Sequence, residues 1–113
     1  MVIDVYRQYF EAECVYNGVE RRAALVCLTS DSEAGQIRYT ASLTFFPHRD
    51  EEDYAVSYDA AAEKTLCEGK GRRSKKREAA LLAEALRPAL DELAGSLGGT
   101  VCWEKPLREA QRA

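Results

Sequence analysis

The sequence predicts an α+β domain: an antiparallel β-meander of four to five strands packed by one long C-terminal helix, a two-layer α/β sandwich. Three observations predict it. An Asn17-Gly18 step separates two strand-like stretches, VYRQYFEAECVY and VERRAALVCL. Residues 36–46 alternate apolar and polar side chains, and a leucine stripe at helical spacing runs through 74–97. With 113 residues the chain fits one domain: 1–69 mainly β, 74–97 helical, 100–105 a short last strand, 106–113 a tail.

Asn-Gly supplies the positive φ angles of a type I′ turn, so the first two strands form a two-residue hairpin. That register pairs Tyr16 with Val19, Glu13 with Arg22 and Phe10 with Leu25. It places Phe10, Ala12, Ala23, Leu25 and Cys27 on one face, with Tyr9 and Val26 on the other. Thr29–Gly35 (TSDSEAG) is expected to be a polar turn. In the third strand Ile37, Tyr39, Ala41, Leu43 and Phe45 face one way, and Arg38, Thr40, Ser42 and Thr44 the other. Pro47 ends it, because proline cannot donate to a ladder. Tyr54, Val56 and Tyr58 alternate through a fourth strand. Ala60–Glu68 suits helix or strand; strand is favoured, with Lys64–Cys67 pairing back on Tyr54–Tyr58 through a turn at Asp59.

Ser74 is the expected N-cap of the helix. At 100° per residue, Ala79, Leu82, Ala83, Leu86, Leu90, Leu93 and Leu97 share the inward stripe, and Leu81 lies opposite. Pro88 should kink the helix or split it near Arg87. Gly98-Gly99 stops it. Thr100–Lys105 is the last strand, ended by Pro106.

Composition narrows function. The chain is 46% apolar and 31% charged, which is globular rather than disordered. It has no apolar run long enough to span a membrane and no secretory-type start, so the cytoplasm is the expected compartment. The net charge of −3 hides an asymmetry. Six of the 16 basic residues fall within 70–77, leaving ten against 19 acids elsewhere.

That basic run is the principal candidate site. Lys70, Arg72, Arg73, Lys75, Lys76 and Arg77 crowd the start of a helix, where the macrodipole favours anions. Cations there oppose the dipole and repel one another, which suits a segment selected to contact a phosphate-bearing ligand or nucleic acid. The alternatives are a solvated charged loop, which the acidic loop His48–Asp53 could neutralise within the chain or across a dimer, and a localisation signal in a eukaryotic host. Tyr9, Tyr54 and Tyr58 are candidates for stacking on bases. A second copy of the chain is the other candidate partner, with Leu81 as an exposed helix contact.

No catalytic residue, metal site or cofactor is assigned. Cys14, Cys27, Cys67 and Cys102 lack the close pairs of a zinc site and read as buried or half-buried thiols. His48 is a lone histidine, and no P-loop, GxGxxG, GxSxG or HExxH is present.

Overall fold

The structure, a computed structural model, describes residues 1–47 and 60–107. Strands β1 (Val2–Tyr16), β2 (Val19–Glu33), β3 (Gln36–Phe46) and β4 (Ala61–Lys70) precede the helix, and β5 (Gly99–Leu107) follows it. They form one antiparallel sheet of order β4-β3-β2-β1-β5. The first four strands therefore follow one another as a meander. The helix then carries the chain from the β4 edge to the opposite edge, where β5 pairs with β1. This is the expected α+β two-layer arrangement. The ambiguous stretch after Ala60 is strand, as favoured, and its partner among the described residues is β3. The expected strand Tyr54–Tyr58 lies outside the described residues.

Asn17 and Gly18 adopt φ of 52° and 76°, the left-handed pair that the turn requires. Tyr16 pairs with Val19 as expected. The predicted register holds through Val15–Glu20 and Cys14–Arg21 and fails beyond them. Between Glu11 and Cys14 a β-bulge adds one residue to β1, so Phe10 faces Ala24 and Tyr9 faces Leu25. Arg22 pairs with Glu20 at 2.8 Å rather than with Glu13. The bulge reassigns the faces. Phe10, Ala12 and Cys14 join Ala24, Val26 and Leu28 in the main core, while Tyr9 and Ala23 pack with Phe46 in a second cluster.

The expected polar turn at Thr29–Gly35 is mostly strand. β2 continues to Glu33, and only Ala34 and Gly35 turn, with φ of 54° and 79°. The polar side chains there do not prevent pairing, because β1 and β3 supply ladder partners on both sides. The β3 alternation holds: Ile37, Tyr39, Ala41, Leu43 and Phe45 are all buried.

Helix α1 (75–96) is continuous but irregular. An α-helical start, Lys75–Ala80, passes through a π turn, Leu81–Ala85, into an α-helical stretch, Leu86–Ser96. The Leu86 N–H donates to the carbonyl of Leu81, a five-residue span. Pro88 gives the physical reason: it has no N–H for the Glu84 carbonyl, and its ring needs room against that turn. A widened turn supplies the room, so the helix neither splits nor runs regularly.

The extra residue also rotates the first turns relative to the rest by about 100°. Leu81 consequently packs against the core, and Leu82, Ala79 and Ala83 are exposed, reversing the predicted assignment of the N-terminal half. The C-terminal half keeps its predicted face. Leu86 and Leu90 are buried there, and Leu93 and Leu97 pack against the core. Burying a leucine such as Leu90 stabilises by about 1.5–3 kcal/mol.

β5 continues past Pro106, which an edge strand tolerates. Its Trp103 lies edge-on to Phe10 at 4.9 Å and donates its indole N–H to Asp91 at 2.8 Å, tying the strand to α1. No helix among the described residues is long and apolar enough to cross a membrane.

Candidate functional site

The basic run joins the end of β4 to the start of α1. Gly71 takes φ of 121°, which side-chain-bearing residues avoid, and its N–H donates to the Gly35 carbonyl at 2.9 Å. The link is thereby fixed to the β2–β3 turn. Ser74 caps the helix as predicted: its backbone is extended, and its Oγ accepts from the Arg77 N–H at 3.2 Å. The Glu78 N–H donates to the Ser74 carbonyl at 2.9 Å.

The six predicted cations divide into two groups. Lys70, Arg72, Lys75, Lys76 and Arg77 are exposed and make no ion pair among the described residues. Arg73 is engaged internally. Its Nε and Nη2 donate to the two carboxylate oxygens of Glu78 at 2.8 and 2.9 Å. Such a two-point fork is among the stronger charged contacts available to a protein.

Glu78 is 6% exposed and also accepts from the Tyr39 hydroxyl at 2.8 Å. Tyr39 is fully buried on β3, and its oxygen accepts from the Ser74 N–H at 3.3 Å. The Arg73 guanidinium holds the Glu78 carboxyl below the usual range, against the effect of burial and with help from the Tyr39 hydroxyl. Burial pushes the Tyr39 phenol up. Sequence reasoning missed Glu78. Two signals pointed to it: it is the first acid after the run, and Tyr39 sits on an apolar strand face with a hydroxyl that needs a partner.

The surroundings bound the positive surface. Beside the Gly35–Gly71 contact lies an open depression of about 440 Å³ lined by Asp31, Glu33, Arg38 and Glu68. Asp31 there pairs with Arg38 at 3.8 Å. Acidic side chains thus adjoin the cationic helix entry on this side.

Of the expected stacking residues, Tyr9 is 5% exposed. Arg7 lies over its ring at 5.4 Å and Phe46 packs beside it at 6.2 Å, so the buried ring is closed to a base. Tyr54 and Tyr58 lie outside the described residues, as does the acidic loop His48–Asp53. The large exposed apolar side chains of the described residues are Met1, Val2, Val15 and Leu82, and none is aromatic. Leu81, the expected dimer contact, is turned inward.

None of the four cysteines forms a disulfide; Cys14 and Cys27 are buried, and Cys67 and Cys102 half-buried. Burial raises the Cys14 thiol despite the nearby Arg21 charge, which is the setting of a packing thiol. No cluster of metal-ligating side chains occurs among the described residues.

Fold and site together define a small α+β domain that presents a fixed cationic helix entry. Compared with known proteins, the chain matches no family model, no curated protein and no solved structure.

Proposed function

We propose that this protein is a nucleic-acid-binding module that holds the phosphate backbone with Lys70, Arg72, Lys75, Lys76 and Arg77. One observation carries the reading. Five exposed cations cluster around a helix entry, three of them (Lys75, Lys76 and Arg77) in the first turn where the dipole disfavours them, and no acid among the described residues forms an ion pair with any of the five. Each of the three first-turn cations costs the helix about 0.3–1 kcal/mol at low salt. The fold gains nothing evident in return, whereas a row of phosphates offsets the cost. The chain's one cap at this position is Ser74, which leaves first-turn N–H groups of α1 able to join in holding an anion.

The burial of Tyr9 favours a reader of backbone charge over a stacker of single-stranded bases. A duplex, with phosphates at fixed spacing, is therefore the preferred target.

Anisotropy titrations of labelled duplex and single-stranded oligonucleotides across a salt series test this. Three to five phosphate contacts on a duplex give a log–log slope of about −2.7 to −4.5, from roughly −0.9 per contact. Lys75→Glu with Lys76→Glu should abolish binding at moderate salt. Absence of binding at low salt, or indifference to that charge reversal, overturns the proposal.

A further inference from the structure

We infer that Tyr39, Glu78 and Arg73 form a positioning lock for the phosphate-binding cations, so that Arg73 orients the site without contacting the ligand; this rests on the phosphate-binding reading above. Arg73 lies between Arg72 and Ser74 and carries the same charge as its neighbours. Yet both carboxylate oxygens of buried Glu78 receive its fork. Moving it to a phosphate would strand a buried carboxylate with only the Tyr39 hydroxyl, which is costly.

The lock also fixes the chain around it. Tyr39 is anchored in β3 and fully buried. Its oxygen receives the Ser74 N–H, so the cap residue is tied to the sheet directly. Glu78 ties the first turn of α1 to the same phenol. Gly71 is held separately by Gly35. The segment 71–78 is therefore pinned at Gly71, Arg73, Ser74 and Glu78. The exposed side chains of Arg72, Lys75, Lys76 and Arg77 project from this pinned backbone. A site ordered before binding loses less entropy when the ligand arrives.

Two accounts make opposite predictions for Glu78→Gln. If charge alone mattered, removing an acid and releasing a guanidinium would tighten binding. Under the lock, Arg73 and the cap lose their anchor and binding weakens, by roughly three- to ten-fold for each group that must be re-ordered. The variant Arg73→Gln/Glu78→Gln replaces the ion pair with a neutral one, so a buried charge is not stranded. It should weaken binding while leaving the salt slope unchanged, because Arg73 touches no phosphate. Arg72→Gln should make the slope shallower by about 0.9 on a duplex.

The experiment measures a short labelled duplex against wild type, Tyr39→Phe, Glu78→Gln, Arg73→Gln/Glu78→Gln, Arg72→Gln and Lys75→Glu/Lys76→Glu over a salt series. Circular dichroism melts check that each variant folds. Amide exchange reports on residues 71–77. The lock predicts faster exchange there and weaker binding in Tyr39→Phe and in both Glu78 variants; should Glu78→Gln fail to fold, the other two decide. Unchanged or tighter binding in the folded lock variants overturns it. So does a shallower slope in Arg73→Gln/Glu78→Gln, which would make Arg73 a phosphate contact. If wild type does not bind, or Lys75→Glu/Lys76→Glu has no effect, the phosphate reading itself fails. Binding that responds to those reversals but not to the lock variants rejects the lock alone.

Discussion

Replacing Gly99 by alanine probes how β5 closes onto the core. Gly99 stands opposite Cys14 in the β1–β5 ladder. A methyl group built there would lie 2.7 Å from Phe45 Cζ, 2.8 Å from Cys14 Cβ and 3.0 Å from Cys14 Sγ. Carbon atoms pack comfortably at about 3.5–4.0 Å, so the new methyl is roughly 1 Å too close to two carbons. Neither can retreat easily: Phe45 is fully buried, and a Cβ moves only with its backbone. Overpacking of this kind costs about 1–3 kcal/mol. Restricting the unfolded chain recovers about 0.4–1 kcal/mol. The net loss is about 1–2 kcal/mol, which lowers a urea midpoint by about 0.5–1 M at a typical slope. Gly95 is the internal control. It lies in α1 with nothing within 4 Å of a built methyl, so alanine there should stabilise by up to about 1 kcal/mol. Urea unfolding followed by circular dichroism reads both. A Gly99→Ala midpoint at or above wild type, or equal shifts in one direction for both variants, would refute the packing argument.

The π turn makes a paired prediction: Leu81→Ala should cost about 1–2 kcal/mol as a core-packed side chain, and Leu82→Ala about 0.5 kcal/mol or less. Chemical denaturation of the two variants decides it, and the reverse order would restore a regular helix. The lock makes a pH prediction. Glu78 has a depressed pKa in the folded state, so its contribution is complete above the ordinary glutamate value of about 4.3 and is lost as pH falls below it through the folded value. The stability gap between wild type and Glu78→Gln should therefore shrink in acid; a gap that stays constant on acidification contradicts the assignment.

Signals carried by a few adjacent residues were legible in the sequence. Asn17-Gly18 needs only its own backbone freedom to turn, and β3 declares its faces by simple alternation. Ser74 caps with its own hydroxyl, and the basic run is visible as composition. The order of strands, helix and last strand follows from these. Tertiary structure decided what depends on distant partners. The bulge near Cys14 changed the faces of β1 relative to β2, because two ladders and a core had to be satisfied together. Pro88 widened a turn upstream of itself and exchanged the environments of Leu81 and Leu82. The most consequential decision concerns the basic run itself. Its six cations look alike in sequence, since each has the same charge and similar neighbours. Only the approach of β3 brings Tyr39 under the helix entry, and only then does Glu78 have reason to take Arg73 inward. Five cations remain at the surface, and the sixth is drawn inward to Glu78.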